Sequence, residues 1–192
     1  MTQDALEGSR LMAVAMLRSG YETLYHTPNA PVHETVCVGR ICREEQLPDG
    51  RFNFLLQGLS RARIIEEDRG LSYRRAKLEP LVPKTLPCEV EIALRKNLLE
   101  LLSDEAMAAL AGQFSWLSTT ENCTVSFSDV VDRLAASVLM CPEERQSFLE
   151  LVCAAKRAQY LCAALHSIRC DLEARATGCS RPRRWPPDTS DN

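Results

Sequence analysis

Four side chains near the start of the chain could be drawn as a metal site: Cys37 and Cys42 with His26 and His33. Thiolate sulfur and imidazole nitrogen are the ligands zinc prefers. The spacing speaks against it. Cys37 and Cys42 lie five positions apart in a β-branched, apolar run, and an odd offset along one strand sends two side chains to opposite faces. His33-Glu34 lacks the second histidine that a zinc-protease helix needs. A Cys–His nucleophile using Cys37 is no better supported, since it requires a cysteine of depressed pKa beside a base. Two other groups can do binding rather than bond-making. Tyr21 and Tyr25 stand in a loop with Pro28, Asn29 and Pro31, where large amphipathic rings can grip an apolar peptide. Arg61 and Arg63 share parity on one strand and Arg75 and Lys77 on the next, a stripe that could meet RNA phosphates. The plain alternative for the stripe is a solvated sheet face balanced by Glu44, Glu45, Glu66 and Glu67. That alternative is preferred, because no aromatic residues interleave to stack bases. For the tyrosines, covering the core and binding a peptide weigh equally.

The elements that must hold these residues are legible from periodicity. Val36 to Glu67 reads as three consecutive strands. Leu47-Pro48-Asp49-Gly50 is a turn, since proline pre-sets φ and glycine accepts a positive one. Phe52, Phe54 and Leu56 alternate with Arg51, Asn53 and Gln57, and Gly58 breaks the run before Ser60 to Glu66 resumes it. Asp68-Arg69-Gly70 turns into a last strand, Leu71 to Glu79. Upstream, Met1 to Leu6 ends a helix closed by Gly8. Leu11 to Leu17 is apolar on both faces, as a central, doubly covered strand would be.

After the proline-rich stretch Pro80 to Pro87 the period becomes helical. Leu94, Leu98, Leu101 and Leu102 make one stripe, and Met107, Leu110 and Phe114 suggest a short second helix. Ser126 with Asp129 resembles a capping box at the head of a helix through Leu139. Pro142, followed by two glutamates, starts a long helix reaching Arg175, so that Ser126 to Leu172 is expected to form a helical hairpin. Thr177 to Asn192 has little to bury and reads as a disordered tail.

Composition narrows the classes. A chain of 192 residues with a formal charge of −3 has no bulk attraction to nucleic acid or anionic membrane, and no apolar run spans a bilayer. The first ten residues lack a signal peptide's basic start and apolar run, so the cytoplasm is expected. Nine cysteines without a Cys-x-x-Cys pair read as small buried hydrophobes. No glycine precedes a lysine, which excludes a nucleotide-cradling P-loop, and there is neither a Gly-x-Gly pair nor a Gly-x-Ser-x-Gly elbow.

The run Leu47 to Ile64, LPDGRFNFLLQGLSRARI, resembles the central signature of the Lon protease N-terminal, substrate-binding domain. Val36 to Ile41 is similar to that family's preceding strand, and Tyr73 to Leu81 resembles its closing strand. The resemblance is strong to Leu81 and weaker to about residue 175. It implies an α+β fold: a PUA-like β-barrel or sandwich followed by a C-terminal helical bundle. The expected division is a β-rich module over 1–82, a linker over 83–87, a helical subdomain over 88–175 and a tail over 176–192. It implies a non-enzymatic module, without cofactor or metal, that binds unfolded polypeptide or a protein partner, such as an ATP-dependent protease. Tyr21, Tyr25, Arg61, Arg63 and Tyr73 are the candidate peptide-binding residues. An RNA-binding PUA-like module is the alternative. The family opens with a proline-rich strand segment before its first helix. Met1 falls where that helix is ending, so a start further upstream is expected.

Overall fold

In the computed structural model, residues 1–68, 70–107 and 126–176 are described. The chain divides into two compact units. One comprises Met1–Thr85 with Cys141–Cys153, the other Leu86–Met140 with Ala154–Asn192.

The first unit is built on a four-stranded antiparallel sheet. Helix α1 (Thr2–Glu7) leads into β1 (Leu11–Val14), β2 (Thr35–Gln46), β3 (Phe52–Asp68) and β4 (Arg75–Pro80). The spatial order follows the chain, β1-β2-β3-β4, so the sheet is a meander. The turn between β2 and β3 forms as its residues dictate. Gly50 N–H donates to Leu47 O at 3.0 Å, Leu47 N–H donates to Arg51 O at 2.8 Å, and Gly50 takes φ +84°. That is a three-residue hairpin loop with glycine in the left-handed position.

Two expectations about the strands are corrected here. Gly58 does not end a strand. It lies inside the 17-residue β3 and pairs with Gly39, just past a register shift at Val38/Gly39. Gly39 is required there, because a Cβ would stand 2.6 Å from Leu56 Cγ and 3.0 Å from Gln57 O. Leu11–Val14 is not a central strand. It is four residues long, lies at the end of the sheet and leaves Leu11 and Val14 exposed. Its apolar run is too short to reach past Cys37–Arg40 of β2.

Nor do the described strands close into a barrel. Closure requires the end strands to meet. Here β1 pairs only with β2 and β4 only with β3, from Ala62 onward. The core of this unit is small: Ala30, Val36, Ile41, Ala62 and Phe148 are its buried apolar residues among those described.

The helical sequence after Pro87 supplies α2 (Cys88–Leu102), α3 (Phe127–Val138), α4 (Pro142–Glu150) and α5 (Ala154–Ala176). Ser126 caps α3 by accepting from Asp129 N–H at 3.1 Å, and Pro142 opens α4. The single long helix expected from Pro142 is interrupted at Leu151–Cys153, where Leu151 is extended (φ −77°, ψ 97°). The interruption follows from a division of labour. α4 belongs to the sheet unit and packs against β2, whereas α5 packs against α2 and α3 in the second unit. The predicted hairpin is therefore α3 against α5, with α4 excursing between them in sequence. In the second unit Val131, Leu134, Ala158, Leu161 and Leu165 are wholly buried, as the three-and-four spacing requires. The expected short helix at Met107–Phe114 lies outside the described residues beyond Met107, where Glu105–Met107 is a 3₁₀ turn. The expected polar loop Ser118–Thr124 and the tail from Thr177 also lie outside them.

Candidate functional site

The loop between β1 and β2 is closed at its base by the bridge Leu17–Val32. Arg18 N–H donates to Pro31 O and His33 N–H to Met16 O, each at 2.9 Å. Its tip is a 3₁₀ turn, Glu22–Leu24, held by Leu24 N–H to Tyr21 O and Thr27 N–H to Leu24 O, both 2.8 Å. This turn brings together the two residues that flank it, Tyr21 and Tyr25. The Tyr21 and Tyr25 rings lie 5.8 Å apart, tilted by 58°, and the His26 ring meets Tyr25 edge-on at 5.0 Å. Tyr25 is 56% exposed. The loop thus presents a cluster of rings to solvent, with polar tips and apolar faces.

Of the other three candidate residues, Arg61 and Tyr73 have structural partners. Arg61 donates its Nε–H to Leu149 O at 3.2 Å and holds its guanidinium 5.8 Å from the centre of the Phe148 ring. It thereby ties β3 to α4. Arg63 is exposed and stands opposite Thr35 on one side and Glu79 on the other. Tyr73 donates its hydroxyl to Asp4 at 2.5 Å, joining the approach to β4 to α1. That bond holds the Asp4 carboxyl below its ordinary range and raises the Tyr73 phenol. Tyr21 and Tyr25 are brought together, while Arg61 is engaged with α4 and Tyr73 with α1.

The basic stripe is a ladder of opposite charges. In register, Arg63 faces Glu79, Lys77 faces Glu66 and Arg75 faces Asp68. Arg75 ion-pairs with Asp68 and holds its carboxyl below the usual range. Arg74 Nη2 reaches Glu67 at 2.6 Å. Such a face offers little net field to a polyanion.

The cysteines and histidines do not converge. Cys42 Sγ lies 3.4 Å from Gln57 Oε1, and His33 Nδ1 lies 3.0 Å from Glu150 Oε1 on α4. Among the described residues no three His, Cys, Asp or Glu side chains gather as a metal would need. No described helix is long and apolar enough to cross a membrane.

Sequence reasoning missed the residues that fasten α4 to the sheet. Gln146, almost fully buried, donates to Thr35 O at 3.1 Å and to Glu150 Oε1 at 3.0 Å. Gln146 first, and His33 after it, keep the Glu150 carboxyl below its ordinary range. No local pattern marks these residues, because Thr35 and His33, their partners in the sheet unit, lie more than a hundred positions away.

The meander, its LPDG turn and the helices behind it are those of one family. Residues 1–167 match the model of the ATP-dependent protease La (LON) substrate-binding domain. The chain belongs to this family. A Lon protease from Dictyoglomus thermophilum is 29% identical over 168 residues, covering 83% of this chain and 20% of that protein. The chain therefore spans about a fifth of the length of the curated relative it matches. The solved N-terminal domain of the Mycobacterium avium complex Lon protease agrees in fold. Its TM-score is 0.55 at 13% identity, over 81% of this chain and 90% of that one. The Lon region matched here is the one described as the substrate-binding domain of that ATP-dependent protease.

Proposed function

We propose that this chain binds unfolded polypeptide and delivers it to an ATP-dependent protease, with the Tyr21–Tyr25–His26 rings as an apolar grip. The family match supports the substrate class, and the exposed ring cluster is the observation that supports the place. Rings of this kind give large contact area at low entropic cost and tolerate varied sequence. Arg63 supplies an exposed cation on the neighbouring strand, while Arg61 and Tyr73 hold the frame. We place the protein in the cytoplasm, where the free thiols of Cys42, Cys88, Cys141, Cys162 and Cys170 stay reduced. The PUA-like lineage belongs to the same proposal, supported by the four-stranded antiparallel meander.

Fluorescence anisotropy with a labelled, permanently unfolded polypeptide tests this, with single-stranded RNA of similar size alongside. Saturable binding to polypeptide that survives added salt is expected. Binding to RNA alone, collapsing as salt rises, would sink the proposal.

A further inference from the structure

We propose that the outer edge of β3, from Phe52 to Gln57, captures an extended, uncharged, apolar polypeptide segment by strand addition. This rests on the substrate-binding reading above and gives it a mechanism.

The edges of this sheet are not equally protected. Natural edge strands carry charges or proline that discourage pairing. The outer edge of β4 has Arg75, Lys77, Glu79 and Pro80. The part of β2 that runs beyond β1 has Arg43, Glu44 and Glu45. On β3, β4 pairs only from Ala62 onward, and among the described residues no strand covers the edge before it. That uncovered edge, Phe52 to Ser60, contains neither charge nor proline. β1 is also uncharged, but it is only four residues long.

The geometry suits a strand. Phe54 pairs with Glu44 and Leu55 with Arg43, so the two point to opposite faces, and they are 39% and 60% exposed. An added strand would therefore find apolar neighbours above and below it. Leu47 N–H bonds Arg51 O, and the alternation of an antiparallel ladder then turns the N–H and C=O of Phe52 and Phe54 away from β2. The shift at Ile41/Arg43 puts its extra residue, Cys42, on β2 and leaves β3 unbroken, whereas the shift at Val38/Gly39 puts Leu59 extra on β3 and ends the stretch, which sets the segment at Phe52–Gln57. Charge selects the occupant. A charged segment would meet no counter-charge along this edge, and behind it on β2 Arg43, beside Leu55, offsets Glu45, beside Asn53, so neither sign of charge is favoured. Recognition through main-chain hydrogen bonds also tolerates many side-chain sequences.

The test uses the full chain and a labelled peptide of about eight alternating valines and threonines, a typical strand length. A second copy of the peptide carries N-methyl groups on alternate residues. Anisotropy should show saturable binding of the first peptide, at least about tenfold weaker binding of the second, and a similar loss in Phe54→Lys and Leu55→Lys proteins. Val14→Lys, on the other uncharged edge, should bind as the parent does. Equal binding of the two peptides would overturn strand addition while unfolded polypeptide still binds. Loss on Val14→Lys with retention on Phe54→Lys would move the site to β1 and overturn it as well. If neither peptide nor unfolded polypeptide binds, this proposal and the reading beneath it fall together. A dimer in sedimentation that Leu55→Lys abolishes would make a second copy the occupant and overturn it. Should the lysine variants fail to fold, the comparison of the two peptides on the parent protein decides.

Discussion

Arg157 on α5 is completely buried, and its Nε lies 3.0 Å from Asp132 Oδ1 on α3; its Nη2 also donates to Ser128. A buried guanidinium is tolerated only with its counter-charge in place. Asp132→Ala strands that charge, although Asp132 itself is partly exposed. The expected loss is about 3 kcal/mol, the low end for a broken buried pair. Arg157→Met removes the charge together with its need and should cost less. Urea unfolding of both variants, read as the shift in midpoint, checks the order.

Gly39→Ala should weaken the sheet unit by about 1–3 kcal/mol, the usual range for an overpacked core. The added methyl meets Leu56 Cγ and the Gln57 carbonyl, and neither can swing aside freely. Gly58→Ala is the control: its Cβ would stand 3.6 Å from Cys37 Sγ, an ordinary contact. A thermal melt in which Gly58→Ala is the worse of the two would contradict the pairing described.

Acid should loosen the attachment of α4. The Glu150 carboxyl is held below its ordinary 4.5 by Gln146 and His33. A group whose folded value is depressed gives stability that is present above the unfolded value and is lost as pH falls through the folded one. The loss therefore sets in as pH drops below about 4.5. Glu150→Gln should flatten that part of the curve of melting temperature against pH by lowering the neutral plateau toward the acid level, where parent and variant converge.

Tyr21→Ala and Tyr25→Ala should each weaken binding of unfolded polypeptide about tenfold, roughly 1.4 kcal/mol. Tyr25, more exposed, should cost almost no stability. Paired anisotropy and melting measurements separate the two effects. Lost stability with unchanged affinity would make the rings part of the core.

What could be read in advance was local. The Leu47–Gly50 turn, the Ser126 cap and the start of α4 at Pro142 are each decided by neighbouring residues, and each formed as expected. What could not be read depended on a distant partner. Gly58 looks like a break until Gly39 is placed opposite it. Leu11–Val14 looks central because nothing in four apolar residues says which side is empty. The interruption at Leu151–Cys153 has no proline or glycine to announce it; packing of Phe148 and Gln146 onto the sheet decides it. Of the candidate site, neither the meeting of the Tyr21 and Tyr25 rings, which depends on the turn between them, nor the engagement of Arg61 with Leu149 was legible. The uncharged edge of β3 was in plain view as a composition, but only the extent of β4 shows that it is uncovered.

The insertion of α4 into the sheet unit has a consequence for synthesis. The segment through Thr85, which holds the strands, leaves the ribosome first, but the segment carrying the helix that covers them ends only at Cys153, roughly seventy residues later. At about 5–20 residues per second, the nascent sheet waits several seconds for Phe148 and Gln146 to arrive. During that interval its apolar faces are open to any chain nearby. A ribosome stalled before Cys141 would hold this unit unfinished, which makes the stretch between Thr85 and Cys141 the most hazardous part of its translation.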